Sequence, residues 1–282
     1  MRSESLRTAR KLVIIIPLAV ITLFPLYWMA TMAFKPQSEW SPVTDIFWFP
    51  SDPTLDNFRQ ILGLDPIYEY LDATNAIKNS LIAAVGGTIL AMTVGVGAAY
   101  GITRFRAGGR LVPFQILQLR MLPPVAVMIP ILILWSYLHL IDTYVGLILM
   151  YGVVTFPFAV WLMRGFFLDV PREITQAAIL DGCTHWGAFV KVVLPQVKGG
   201  LAVTALFVFI LNWSDFLIAL VLSRSEVITG PVFLSSLQFA GAGQLFGPQS
   251  ALALILILPP AVFGLAIQRY LVRGLTFGAI KR

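Results

Sequence analysis

An all-α integral membrane protein with six transmembrane helices is the fold class that three observations predict. The 282-residue chain is 58% hydrophobic and only 12% charged, about half the charge of an ordinary soluble domain, and its mean hydropathy is +0.83. Six apolar stretches, at 12–34, 77–103, 111–138, 144–167, 201–222 and 250–271, reach the ~20 residues that a helix needs to cross a bilayer core. The basic residues gather at alternate ends of those stretches. Because they lie at span ends, the net charge of +6 carries no implication of nucleic-acid binding.

Residues 1–11 precede an apolar run laid out like a secretion signal. That run, Leu12 to Phe34, is far longer than the roughly 7–15 apolar residues of a signal core. It reads as an uncleaved first span. The connection 35–76 is acidic (Glu39, Asp45, Asp52, Asp56, Asp65, Glu69, Asp72) and aromatic (Trp40, Phe47, Trp48, Phe49), with prolines at 36, 42, 50, 53 and 66. It predicts an irregular cap with short helical pieces. One is "SDPTLDNFRQIL", capped by Asp52 or Thr54, with Leu55, Phe58, Ile61 and Leu62 on one face. The cap is either a plain surface loop or a docking surface, and its aromatic content favours docking.

The second span, "AAVGGTILAMTVGVGAAYG", is built of small residues that let helices approach closely. The third carries Gln118, Arg120, Pro123, Pro124 and Pro130. On a straight helix Arg120 lies about 14 Å in from Leu111, where an arginine costs at least about 2.5 kcal/mol and needs a partner or an aqueous cavity. Two readings are open for it, a structural one on carbonyls freed by Pro123 and Pro124, and contact with a solute. Asn212, Trp213, Ser214 and Asp215 lie in the fifth span, about 18–22 Å from the same side. A pair between Arg120 and Asp215 meets that difference in depth. Trp135, Tyr151, Trp161, Trp213 and Phe216 offer faces for a sugar, but Trp and Tyr also anchor membrane interfaces.

Charge sets the orientation. With the N-terminus cytoplasmic, 15 of the 20 Lys and Arg residues fall on the inside, four (Lys35, Arg59, Lys78, Arg224) on the outside, and Arg120 within a span. The positive-inside rule then places both termini in the cytoplasm and the 35–76 cap outside.

The same choice places 169–198, between the fourth and fifth spans, in the cytoplasm. "DVPREITQAAILDG" predicts a short helix, with Pro171 at its start and Gly182 at its left-handed end. Ala177 and Ala178 are small enough for another chain to approach the backbone. Thr184 then caps a second helix running to Pro195, with Trp186, Phe189, Val190 and Val193 on its apolar face. A surface hairpin that merely links two spans is the plain alternative.

The order of residues in "QAAILDGCTHWGAFVKVVLP" resembles the EAA loop of binding-protein-dependent ABC importer permeases. "RMLPPVAVMIPILILWSYLHLIDTYVGLILMY", "FPFAVWLMRGFF", "FVFILNWSDFLIALVL" and "QRYLVRGLTFGAIKR" resemble spans three to five and the tail of its carbohydrate-uptake, MalG-type branch, so the likeness covers essentially the whole chain. It implies a type I ABC importer permease fold. It implies a multi-pass place in a bacterial inner membrane, two ATPase subunits that bind ATP and Mg, a second homologous permease and an external solute-binding protein. The cap at 35–76 would belong to that protein's docking surface. The solute implied is a sugar or sugar derivative. Glu173, Gln176, Ala177, Ala178, Asp181, Gly182, Phe189, Leu194 and Pro195 are the implied coupling residues, and Gln118, Arg120, Pro123, Pro124 and Asn212 to Asp215 the candidate pathway. Two departures stand out. The loop opens with Gln176 where the family usually has Glu, with Glu173 on a neighbouring face, and "WSDF" replaces the common "WNEF".

The chain has no GxxxxGK[ST] loop, Ser–His–Asp signature, HExxH or CxxC, so it holds no visible ATPase or hydrolase machinery. One cysteine and two histidines imply no disulfide, no metal and no cofactor. Other expectations are a permease for an anionic solute, such as glycerol phosphate or a sulfonated sugar, or an ion-driven secondary transporter. The latter predicts inverted repeats and paired intramembrane acids. Only Asp215 is such an acid here. A passive scaffold leaves the insert unexplained.

Overall fold

The computed structural model describes residues 2–40, 46–121, 123–237 and 245–277. Pro42, Asp45 and the C-terminal tail from 278, Lys281 and Arg282 included, lie outside them. The described residues form helices and connections only. α1 (Arg2–Ala33) leads into the 35–76 segment, where α2 (Asp56–Ile61) lies between 3-10 turns at Gln37–Glu39 and Pro66–Leu71. Then come α3 (Thr74–Phe105), α4 (Val112–Gln118), α5 (Pro124–Tyr137) and α6 (Tyr144–Leu168). The insert holds α7 (Arg172–Leu180), α8 (His185–Ala188), a π turn at Phe189–Val193 and α9 (Leu194–Gln196). α10 (Lys198–Trp213), α11 (Leu217–Leu222), α12 (Gly230–Ser236) and α13 (Phe246–Phe277) complete the chain.

Among the described residues four helices are apolar and long enough to cross a bilayer, with up to six spans when each of two bent pairs counts as one, the second being His185–Gln196 with Lys198–Trp213 at 79°. One bent pair, Val112–Met121 with Val125–Tyr137, turns through 93°. The straight-helix depth expected for Arg120 therefore does not hold. The chain tightens into a 3-10 turn at Leu119–Met121 and restarts at the proline pair, where a missing N–H is harmless only in a first turn. The expected fifth span is likewise interrupted, at Ser214–Phe216, between α10 and α11.

The chain divides into two compact units, 1–74 with 233–257 and 75–232 with 258–282. In the first, Asn57 donates from Nδ2 to the carbonyls of Ala33 and Lys35, both at 2.9 Å, satisfying carbonyls orphaned at the end of α1. Trp40 donates to the Lys35 carbonyl as well. Gly247 admits both side chains, since a Cβ there would stand 2.5 Å from the Trp40 ring. Neither Asp52 nor Thr54 is the N-cap of the short cap helix, a place held by Leu55 with no side-chain cap, although Thr54 Oγ1 accepts from the Asp56 N–H at 3.1 Å just before it. Of that helix's expected apolar face Ile61 is fully buried, while Leu55 and Leu62 stay exposed.

The second unit is organised by the small-residue helix. Ala83, Gly87, Ala91, Gly95 and Ala99 recur every four residues along α3 and are all buried. A Cβ on Gly87 would fall 2.6 Å from Tyr151 Cβ, and one on Gly95 2.7 Å from Ala159 Cβ, so α6 packs with no room to spare. α10 closes on α6 in the same way, with Gly200 under the Phe166 ring.

Candidate coupling insert and the polar break in the helices

The insert begins at Pro171, the N-cap of α7, and that helix ends in the predicted left-handed glycine, Gly182 at φ +90°. The Gly182 N–H donates to the Ile179 carbonyl and the Cys183 N–H to the Ala178 carbonyl, both at 3.0 Å, the two bonds of a Schellman ending. Thr184 then accepts from the Gly187 N–H at 3.0 Å and caps α8, as its place in the sequence suggests.

The hairpin has two distinct sides. Glu173, Gln176, Ala177 and Leu180 are exposed and share one stripe at i, i+3, i+4 and i+7, with Leu180 88% exposed at its end. Asp181, Gly182, Pro195 and Trp186 are exposed too, Trp186 at 71%. Ala178 is not on that side. It is buried where α7 packs on α8 and the π turn, so only Ala177 offers a small residue to an approaching chain. The expected apolar face of the second helix also splits, with Phe189 and Val193 buried and Trp186 and Val190 exposed. A π turn, which adds a residue to the helical turn, interrupts that second helix at Phe189–Val193.

The inner side is rooted in the membrane helices. The Phe189 ring lies 4.4 Å from that of Tyr100 on α3, and the Tyr100 ring 5.5 Å from that of Phe167 on α6. Val193, Val197, Met163 and Val160 extend the same core, and half-buried Leu194 packs against it. Two arginines stitch the junction reciprocally. Arg104, at the end of α3, donates to the Val170 carbonyl at 2.9 Å, and Arg172, at the start of α7, donates to the Thr103 carbonyl at 3.3 Å. The insert is thereby joined by packing and by hydrogen bonds to two long helices. Tyr100 carries no sequence signal of this role, and the arginine pair is marked only by a basic residue at each end of a junction.

The polar residues of the spans divide as well. Asn212 is buried and donates to Thr88 Oγ1 at 3.2 Å, and buried Trp213 stacks on Phe209. Asn212 thus belongs to the packing of α10 against α3, whereas the Trp213–Phe209 stack lies within α10. Ser214 is exposed and Asp215 half-buried. Asp215 accepts from the Ile218 and Ala219 N–H groups at 3.1 and 3.2 Å and from the Tyr151 hydroxyl, so its carboxylate starts α11 after the break. Arg120 does not meet it. It donates to the Val154 carbonyl of α6 at 3.3 Å, and the one ion pair among the described residues is Arg59–Asp56. Gln118, Arg120 and Pro123 are exposed, whereas Trp135 donates to the Gly146 carbonyl and Tyr151 is buried.

A residue absent from the sequence reading holds the opposite end of this unit. Asp142, at φ +58° between α5 and α6, receives the backbone N–H groups of Arg224, Ser225, Glu226 and Val227 at 2.9–3.2 Å. Burial raises its pKa, but those four donors outweigh burial and hold the carboxyl well below the usual carboxylate range. Asn79 completes the clamp, donating to the Glu226 and Ile228 carbonyls and accepting from the Tyr144 hydroxyl.

Apolar spans interrupted by polar breaks, with a hairpin rooted in two of them, are the architecture of a multi-span helical membrane protein. The model of the binding-protein-dependent transport system inner membrane component family matches residues 91–277, and the chain belongs to that family. A probable ABC transporter permease of Sinorhizobium fredii is 35% identical over 282 residues, covering 99% of each chain. The trehalose transport system permease of Mycobacterium tuberculosis is 34% identical over 264 residues, 92% of each. In fold the chain is similar to a bacterial ABC transporter involved in alginate import, with a TM-score of 0.77, 23% identity, and coverage of 96% of this chain and 98% of that one. The chain is therefore a multi-pass transport subunit and not an enzyme. Its family works with a solute-binding protein and an ATPase.

Proposed function

We propose that this permease imports a sugar or sugar derivative and that its 169–198 insert couples transport to ATP hydrolysis. The observation that carries the coupling is the two-sided hairpin. An outward stripe of Glu173, Gln176, Ala177 and Leu180 is tied through Phe189, Val193 and the Arg104–Arg172 stitch to α3 and α6. The stripe seats on one of two ATPase subunits that bind ATP and Mg, and a second homologous permease completes the membrane pair. Closure of the ATPases displaces the hairpin and favours the outward-facing state, since only differential contacts shift such an equilibrium. Asp181, Gly182, Leu194 and Pro195 hold the hairpin's shape, and Ala178 acts from inside it. The distribution of basic residues supports a cytoplasmic insert, cytoplasmic termini and an external 35–76 cap.

The trehalose permease supports a carbohydrate solute. An anionic derivative is the second reading, favoured by exposed Arg120, which has no carboxylate partner among the described residues. Reconstitution of the chain with its ATPase, partner permease and binding protein tests both. Sugar-loaded binding protein is expected to stimulate ATP hydrolysis and uptake together. Arg120→Gln is expected to abolish uptake of an anionic solute and spare a neutral one. Uptake driven by an ion gradient without ATP would overturn the proposal.

A further inference from the structure

The cap segment 46–49 is an apolar strap that folds back along α1. Its sequence, Ile-Phe-Trp-Phe, is uncharged and ends at Pro50. The Tyr27 hydroxyl donates to the Trp48 carbonyl at 2.6 Å, and the Lys35 ammonium donates to the Phe47 carbonyl. Trp48 meets Trp28 edge-on with centroids 6.1 Å apart and lies 6.3 Å from Phe24, while Phe49 meets Tyr27 edge-on at 5.9 Å. Tyr27 precedes Ala33, the end of α1, by six residues, and Phe24 by nine. The strap thus returns about 9–14 Å along the helix from its end.

The Ile15–Ala33 stretch of α1 is apolar and of spanning length, and only 6% of it is buried within the chain. The strap is continuous with that surface, and Ile46 and Phe49 are 60% and 69% exposed. Three features suit the membrane boundary. Trp48, with the Tyr27 that holds its carbonyl, is of the residue kind that populates the interface. Its two inward carbonyls are paired by side-chain donors, as irregular backbone near the hydrocarbon requires. The charge that does so, Lys35, is itself almost wholly buried and lies 4.5 Å from the Trp28 ring centroid.

We propose that the 46–49 strap is a bilayer anchor, with Ile46, Trp48 and Phe49 set among lipid headgroups and upper acyl chains beside α1. The cap is then fastened to the membrane at this edge. The inference stands apart from the coupling proposal, requiring only that α1 cross the bilayer.

The test uses the complete transporter in phosphatidylcholine vesicles, with a fluorescent amino acid such as dansylalanine introduced at Phe49 or, separately, at Leu64. Leu64 is an exposed apolar residue of the cap outside the strap. The probe at 49 is expected to lose most of its emission to lipid carrying a nitroxide near the carbonyl end of its acyl chain and to resist aqueous iodide. The probe at 64 is expected to respond in the reverse sense. Quenching at 49 by iodide overturns the proposal in favour of a free or protein-docking surface. Protection at 49 from both quenchers overturns it in favour of burial under another subunit. Uptake by the same vesicles reads the coupling proposal independently.

Discussion

Replacing Gly182 by valine isolates the turn that aims the insert. Its φ of +90° lies where a side chain is strained, yet a Cβ there would meet nothing within 4 Å. The penalty is therefore conformational and free of collision, about 1–2 kcal/mol for a left-handed residue and more for a β-branched one. The chain either bears this strain or opens the turn, losing the Gly182–Ile179 and Cys183–Ala178 hydrogen bonds at a net ~0.5–1.5 kcal/mol each. A shift of about 1–2 kcal/mol lowers the ratio of correctly turned to opened hairpin by a factor of roughly 5–30. Insertion depends on the apolar spans and is unaffected. The expected result is a normally inserted chain that retains less ATPase on purification and hydrolyses ATP with weakened dependence on transport. Gly182→Asn, which tolerates a left-handed backbone far better, restores most coupling. Fully coupled transport by Gly182→Val would refute the assigned role of this turn.

Three further outcomes follow from the packing. Phe189→Ala opens a void between Tyr100 and Phe167 and is expected to destabilise the protein by about 3–5 kcal/mol, read as a lower melting temperature in detergent with coupling lost before insertion. Gly95→Val forces a side chain against Ala159 and is expected to cost about 1–3 kcal/mol or more from overpacking, read in the same melt. Asp142→Asn leaves four backbone donors poorly satisfied and is expected to cost about 1–3 kcal/mol near neutral pH. Because the folded Asp142 pKa is depressed, its stabilisation is present above the ordinary carboxylate pKa and fades as pH falls towards the folded value. The variant's deficit therefore shrinks in acid. An equal deficit at all pH values contradicts the ionised clamp.

The spans and the insert were legible because each rests on a local pattern. Apolar runs of bilayer length, Gly182 after an amphipathic stretch and Thr184 before a helix have the same meaning in most contexts. Gly87 and Gly95 were legible as a class, although only packing pairs them with Tyr151 and Ala159. The break at 214–216 had a signal that was not read as one. Ser214–Asp215 inside an apolar run is the kind of side chain that competes for backbone N–H groups and starts a new helix. The π turn had none, because Phe189 and Val193 stand four apart as in an ordinary helix. Ala178 was assigned to the outer side because its size, not its direction, was legible. Asp142 was invisible for another reason, since its partners lie more than 80 residues away.

The central claim is that the stripe through Leu180 is the seat of the ATPase. A photo-crosslinking amino acid at position 180, in the complete transporter in native membranes, tests it most directly. The expected result is an adduct with the ATPase subunit whose yield changes when ATP closes the ATPase dimer. An adduct with lipid alone, unchanged by ATP, would contradict it and leave the insert as a surface connector.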